Sequence, residues 1–243
     1  MKRVLITGAS SGIGLQLATD YLAEGWQVVA CGRNKSKLTQ ALPGEGVEYG
    51  VFDINDREAV RAGLSTMAPV DLVILNAGTC EYVDDAHAFD ADLFERVVQA
   101  NLIGTANCVA AVLPRIKTGG RLALVSSAVT FVPLTRAEAY GASKAGVDYL
   151  ARTLAVDLNS SQVAVSLVRP GFVDTPLTQK NDFPMPGRVS PEQASRTIRS
   201  GLARGKHEIT FPSAFIVTLK LLSWLPYGWW LSLARRMKGN THE

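Results

Sequence analysis

The stretch Val4-Leu5-Ile6-Thr7-Gly8-Ala9-Ser10-Ser11-Gly12-Ile13-Gly14 decides how this chain folds. Its first three residues form a short apolar run, as expected of a strand buried on both faces. Glycines follow at positions 8, 12 and 14. Then Ile13, Leu17, Ala18, Tyr21 and Leu22 recur at helical spacing until Gly25 closes the helix. A strand that passes through glycines into a helix leaves free N–H groups and the positive end of the helix dipole at the loop. Glycine permits positive φ and lets an anion approach the backbone closely. The stretch therefore predicts a pyrophosphate cradle, with Thr7, Gly8, Ser10, Ser11, Gly12, Ile13 and Gly14 as its contacts. The spacing is G-x-x-x-G-x-G, and the lysine of a nucleoside-triphosphate loop is absent.

Outward from this loop, strands and helices alternate. Strands are predicted at 28–31, 47–52, 72–75, 121–126, 163–168 and 207–211. Helices are predicted at 35–42, 56–67, 90–116 and about 140–158. That order calls for an α/β fold in which a doubly wound parallel sheet is covered by helices on both faces. The 243 residues, 47% hydrophobic, suit one such domain. We place it at residues 1–211, followed by an apolar, tryptophan-rich extension at 212–243 that is no independent domain. Sheets of this kind bind ligands at the carboxyl ends of their strands, near the point where strand order reverses. The distinctive motifs of this chain all fall at such ends or open a helix.

Composition excludes several classes. The net charge is only +3, and the basic residues form no stripe with interleaved aromatics, so nucleic acid is not an expected partner. Cys31, Cys80 and Cys108 form no CxxC pair, and His87, His207 and His242 do not cluster, so no metal is expected. The cysteines read as small buried apolar residues in a reducing cytosol. The basic start Met1-Lys2-Arg3 precedes only three apolar residues, too few for an export signal. A cytoplasmic protein is expected.

The dinucleotide can be specified further. An NAD site places an acid about 20 residues beyond the glycines, on the ribose 2′-hydroxyl. Here the region reads Ala30-Cys31-Gly32-Arg33-Asn34-Lys35, with no acid. Arg33 would instead pair with a 2′-phosphate through its planar fork, which favours NADP(H) and leaves NAD(H) second. The plainer role for Arg33 is a solvated loop charge. Asp53 and Ile54 could contact adenine, and Asn76-Ala77-Gly78 could pass beside a ribose, or both could be plain turns. Tyr140 and Lys144 share one helical face, with Ser127 thirteen residues before the tyrosine. A neighbouring ammonium favours the phenolate, so the phenol is expected below its usual value of about 10. Such a phenol would exchange a proton with an alcohol or carbonyl.

Together, Thr7-Gly8-x-x-x-Gly12-x-Gly14, Asn76-Ala77-Gly78, Asn101, Ser127, Tyr140-x-x-x-Lys144 and Pro170-Gly171 make the chain resemble the classical short-chain dehydrogenase/reductases, over residues 1 to about 210. The resemblance implies a Rossmann-type fold and an oxidoreductase acting on a carbonyl or secondary alcohol. It implies Tyr140 as general acid or base, Lys144 as the residue that tunes it and binds the nicotinamide ribose, and Ser127 as the holder of the substrate oxygen. Asn101 would anchor a relay water; without the resemblance it reads as a cap of the following helix. Pro170, Gly171, Val173 and Thr175 would line the nicotinamide, Thr175 through its carboxamide. Pairing of the helices at about 101–116 and 140–158 between subunits would give a homodimer or homotetramer.

The substrate is less legible. Residues 176–190 correspond to the loop that closes over substrate in these relatives, and they offer Leu177, Phe183 and Met185. Beyond Phe211, three of the four tryptophans lie in the tail, and Pro212 and Pro226 bracket a run too short to span a bilayer. Three roles stay open for residues 212–238. The tail could pack on its own domain or a partner subunit. It could lie in a membrane interface as a peripheral contact, with tryptophans and Arg235, Arg236 and Lys238 at headgroup level. It could cover an apolar substrate. The leading expectation is an NADPH-dependent reductase of hydrophobic ketones or aldehydes. The alternatives are an NADPH-binding sensor or scaffold without turnover, and an interfacial lipid-carbonyl reductase.

Overall fold

A computed structural model describes residues 1–158 and 162–239, with no side-chain description from 237 onward. Seven strands form one all-parallel sheet in the order β3-β2-β1-β4-β5-β6-β7. They are β1 (Arg3–Thr7), β2 (Gln27–Gly32), β3 (Val47–Val51), β4 (Val70–Leu75), β5 (Ile116–Val125), β6 (Ala164–Pro170) and β7 (Glu208–Phe211). The helices are α1 (Gly12–Ala23), α2 (Lys35–Ala41), α3 (Arg57–Leu64), α4 (Ala91–Val98), α5 (Gly104–Val112), α6 (Glu138–Asp157), α7 (Pro191–Ala203), α8 (Ser213–Ser223) and α9 (Tyr227–Gly239).

The opening run behaves as its composition dictates. Val4, Leu5 and Ile6 are all fully buried, yet they serve different cores. Val4 and Ile6 join Leu17, Tyr21, Leu38 and Ile198 on the α1/α7 face. Leu5 joins Val60, Leu64, Cys108, Val112 and Val147 on the α3/α5/α6 face. Alternate residues of a strand point to opposite faces, so a strand covered on both sides must be apolar throughout. Strand order reverses between β1 and β4, which sets the ends of those two strands at the mouth of a crevice.

Several elements differ from expectation. The strand expected at 121–126 begins at Ile116, because Ile116 pairs with Val70 and Arg121 with Leu72, while the residues between loop out. The helix expected over 90–116 is interrupted by a π turn at Gln99–Ile103. This run, Ala91–Arg115, is long and apolar enough to cross a membrane by length and composition. It is instead a layer helix, burying Cys108, Val109 and Val112 against the sheet. Helix α7 was not expected. It carries β6 back to a parallel β7, and Ser190 caps it with Pro191 at its first turn.

The tail folds back on the domain. Ile216, Leu219 and Trp230 share a third core with Ala128 and Val132, and Trp230 Nε1 donates to the Pro133 carbonyl at 3.1 Å. The side chain of Lys238 and all of His242 lie outside the described residues.

Candidate functional site

The glycine loop is shaped for something to approach it. Gly8 and Gly12 take φ of +69° and +54°, a region that disfavours other residues. A Cβ on Gly14 would lie 2.2 Å from the Gly8 carbonyl oxygen, so only glycine allows α1 to start this close to β1. Ser11 precedes α1 with no side-chain cap among the described residues, and the first turn holds no acid. Helices α2, α3, α4 and α7 are each capped by the side chain of the preceding residue, Asn34, Asp56, Asp90 and Ser190, whereas α5, α6 and α8, like α1, have no side-chain cap among the described residues. The N–H groups at the start of α1 are thus left for an anion. These are the features a dinucleotide pyrophosphate requires.

Around the loop, the expected residues take distinct positions. Thr7 sits behind it rather than facing it. It is buried, and its hydroxyl accepts from the N–H groups of Asn76 and Ala77 at 3.0 and 3.1 Å, tying β1 to β4. Asn76 Nδ2 returns a bond to the Thr7 carbonyl at 3.2 Å. Ser10 is half-buried and Ser11 exposed in the loop. Ile13, Asn76, Gly78, Pro170, Gly171, Val173 and Thr175 line one cleft together with Ser127, Tyr140 and Lys144. Thr175 closes against the loop, with its methyl 3.0 Å from where a Gly12 Cβ would be.

Arg33 and Asp53 lie outside that cleft and beside each other, at 3.8 Å, both well exposed. The sequence did not reveal this pairing, because the two stand 20 residues apart on neighbouring strand ends. Ile54 turns its side chain onto the helix layer, against the backbone of Gly104, and its carbonyl accepts from Asn107 Nδ2 at 2.9 Å.

The chemistry-bearing residues converge at the ends of β4 and β5. Helix α6 presents Tyr140 and Lys144 one turn apart, with Lys144 Nζ 5.8 Å from the Tyr140 ring centre. Nζ donates to the Val125 carbonyl at 3.0 Å. The two adjacent serines separate cleanly. Ser126 is buried and donates to the Lys144 carbonyl at 3.1 Å, while Ser127 lines the cleft beside Tyr140 and favours its phenolate. Asn101 is no helix cap. It lies within the π turn, accepts from Thr79 N–H at 2.8 Å, and donates to the Thr79 carbonyl at 2.9 Å and to Ser143 Oγ at 3.0 Å. A π turn re-aims a side chain by inserting a residue, and such turns recur at functional sites.

The expected fall in the Tyr140 pKa is not seen. Burial raises the phenol above its usual range, nearby Cys80 adds to the rise, and the Ser127 hydrogen bond opposes it. Burial also pulls the Lys144 ammonium down to about 8, against smaller opposing effects of Cys80 and Asp148. Desolvation penalises each charged form, and at this separation it outweighs their attraction. At neutral pH the phenol keeps its proton.

Two features were missed. Cys80, read as a plain core cysteine, lies within electrostatic reach of both Tyr140 and Lys144. Its place two residues after Asn76-Ala77-Gly78 was the available signal. Arg136, with φ of 65°, pairs with Asp84 at 2.7 Å and Asp182 at 2.8 Å. It thereby holds the 181–183 segment down, where Phe183 meets Tyr82 and Phe172 edge-on. Phe172 in turn touches Phe215 of α8, so the tail begins at the rim of the cleft. Beneath Lys144, Asp148 pairs with buried Arg169 at 2.9 Å. Arg169 reaches Glu208 at 3.6 Å, and Lys220 of α8 meets the same carboxylate at 3.5 Å. A separate surface depression between α6 and β7, lined by Arg152, His207 and Glu208, holds none of Ser127, Tyr140 and Lys144. No group of three metal-ligating side chains occurs among the described residues.

A family model described as short chain dehydrogenase matches residues 2–184. An uncharacterized oxidoreductase of Myxococcus xanthus is 33% identical, over 98% of this chain and 98% of that protein. The 3-dehydrosphinganine reductase TSC10B of Arabidopsis thaliana is 29% identical, over 98% of this chain and 78% of that protein. A solved short chain dehydrogenase from Burkholderia cenocepacia J2315, in complex with NADP, superposes with a TM-score of 0.79 at 25% identity. That match covers 88% of this chain and 91% of the other.

Proposed function

The chain belongs to the short chain dehydrogenase family, and on that premise we propose that it is an NADP(H)-dependent reductase of hydrophobic ketones or aldehydes, reversible as an alcohol dehydrogenase. Family membership makes it an NAD(P)-dependent oxidoreductase; the cofactor preference, the substrate class and the residue roles belong to the proposal. The observation that carries it is the convergence of Ser127, Tyr140 and Lys144 at one cleft beside the uncapped start of α1, with Asn101 buried behind its Gly78 wall.

The nicotinamide, when bound, supplies or accepts the hydride. The glycine loop would hold its pyrophosphate, Thr175, Val173 and the Pro170-Gly171 turn its nicotinamide end, and Arg33 a 2′-phosphate. Ser127 orients the substrate carbonyl toward Tyr140. Tyr140, a protonated phenol at neutral pH, donates its proton to the carbonyl oxygen as negative charge develops there. Lys144 makes the resulting phenolate less costly, and its closeness to the Asn101 amide gives the proton a route for resupply. A Cβ on Gly78 would sit 2.8 Å from Asn101 Oδ1 and 3.4 Å from Lys144 Nζ, which marks how tightly these groups meet.

NADP(H) is favoured by Arg33, with no acid at the preceding strand end, and by the NADP complex of the Burkholderia relative. A hydrophobic carbonyl is favoured by Leu177, Phe172 and Phe183 around the cleft. The name of the Arabidopsis relative, which designates a reductase of a keto lipid, points the same way. Exposed Tyr149 and Val156 on α6 support pairing of that helix between subunits in a homodimer or homotetramer. An NADPH-binding sensor without turnover would have no need of the four converging side chains.

The test is NADPH oxidation against a panel of short- and long-chain ketones and aldehydes, in wild type and Tyr140→Phe. Turnover in the variant should fall at least ~100-fold with NADPH affinity kept. Near-normal turnover in the variant would remove Tyr140 from its role. NADPH binding with no reaction on any carbonyl would favour the sensor.

A further inference from the structure

The outer face of α8 and α9 has no place in the reaction just described. Both helices bury their inner residues, Ile216, Leu219 and Trp230, in one core with Ala128 and Val132, so their other faces look away from the domain. Along α8, Val217, Leu221 and Trp224 follow at i, i+4 and i+7, and all are exposed, Trp224 by 81%. Along α9, Trp229, Leu233 and Arg236 follow at the same spacing, with Trp229 71% exposed. A fold that buries one tryptophan of this hairpin and leaves two others outside exposes more apolar surface than a monomer needs.

Charge says what would cover it. Residues 1–212 carry 21 basic and 21 acidic side chains, so the net +3 of the chain arises wholly beyond them. Residues 213–239 contain not one acid, and beside Lys220, which turns to Glu208 of the domain, they carry Arg235, Arg236 and Lys238. A second copy seated on this face by two-fold symmetry would set cations against cations with no acid on either helix to pair them. An anionic lipid surface meets both requirements. Tryptophan and tyrosine suit the boundary between headgroups and acyl chains, and nearby arginines suit acidic headgroups. Helix α8 has 11 residues, about 16 Å at 1.5 Å per residue, so it could lie in such a surface but not cross it.

We propose that the exposed face of the α8–α9 hairpin docks the protein on the surface of a bilayer containing anionic lipids. The hairpin begins with Phe215 against Phe172 at the rim of the cleft, so docking would bring a membrane-resident carbonyl close to Tyr140. This last step rests on the carbonyl-reductase reading. The docking itself does not.

The test is co-sedimentation of the full chain with phosphatidylcholine vesicles, with and without phosphatidylglycerol. Three proteins are compared: wild type, Trp224→Ser/Trp229→Ser, and Arg235→Glu/Arg236→Glu. Wild type should bind the anionic vesicles and release as salt rises. Each double variant should bind at least ~10-fold more weakly, while reducing a water-soluble carbonyl at the wild-type rate. Wild type that ignores anionic vesicles, or variants that bind as wild type does, would overturn docking. Loss of a dimer in sedimentation velocity on Trp224→Ser/Trp229→Ser, without vesicle binding by wild type, would assign the face to a second copy instead. If no carbonyl is turned over, vesicle binding still decides the docking proposal, and the reductase reading fails separately.

Discussion

Replacing Lys144 by methionine should make the nucleotide-free protein more stable while removing its activity. Lys144 is 4% exposed, and burial lowers its ammonium from 10.5 to about 8. One pKa unit is worth about 1.36 kcal/mol, so keeping the proton at pH 7 costs the folded state about 3 kcal/mol. Below pH 8 both folded and unfolded chains hold the proton, and the whole cost applies. Between pH 8 and 10.5 the unfolded chain binds the proton better, so stability rises with pH through that window. Methionine fills a similar volume without charge. It forfeits the hydrogen bond to the Val125 carbonyl, worth about 1 kcal/mol. The net gain is then about 2 kcal/mol at pH 7, or ~4–8 °C in the unfolding midpoint. Urea and thermal unfolding of wild type and variant at pH 7 and pH 10, without nucleotide, measure it. The variant should lead at pH 7 and lose most of its lead by pH 10. A variant less stable than wild type at pH 7, or a gap that does not change with pH, would refute the view that this charge is held at a cost in stability for function.

Arg33→Ala should weaken NADPH binding at least ~10-fold and leave NADH nearly unchanged, as read by fluorescence titration. Equal NADPH and NADH affinities in wild type would refute the 2′-phosphate assignment. Ser127→Ala should lower kcat/KM by ~10-fold or more, whereas Ser126→Ala should cost about 1 kcal/mol of stability through its bond to the Lys144 carbonyl. The reverse pattern would exchange the two roles. Gly14→Ala places a methyl 2.2 Å from the Gly8 carbonyl oxygen and should cost about 1–3 kcal/mol along with nucleotide affinity. Wild-type melting and binding in that variant would refute the close packing of α1 on β1.

What could be read beforehand had a local physical signature. Val4-Leu5-Ile6 announced a strand covered on both faces because every residue of such a strand must be apolar. Tyr140 and Lys144 announced a shared helical face through their spacing alone. What could not be read depended on residues distant in sequence meeting in space. Arg33 and Asp53 are solvated charges until β2 and β3 align and bring them to 3.8 Å. The Tyr140 pKa was expected to fall because only its neighbour along the helix was visible; the burial that raises it comes from the whole cleft. Apart from the family resemblance, Asn101 reads as a helix cap, because a π turn has no simple sequence code. Helix α7 does carry a local signature, the helix start Ser190-Pro191-Glu192.

The third core has a consequence for how this chain could be recombined with its relatives. Residues 128–134 directly follow Ser127, and they are packed by α8 and α9. Phe131 lies between the Arg169 guanidinium and the Lys220 ammonium, 4.7 and 5.5 Å from its ring centre. Arg169 in turn pairs with Asp148 on α6. The hairpin is therefore not an interchangeable cassette joined at Pro212. A chimera that imports another tail while keeping Phe131, Val132, Arg169 and Glu208 would take Lys220 away from Glu208 and from the Phe131 ring and unroof the segment after Ser127. Substitutions in the hairpin and in that segment can be inherited separately only where each leaves the shared packing intact.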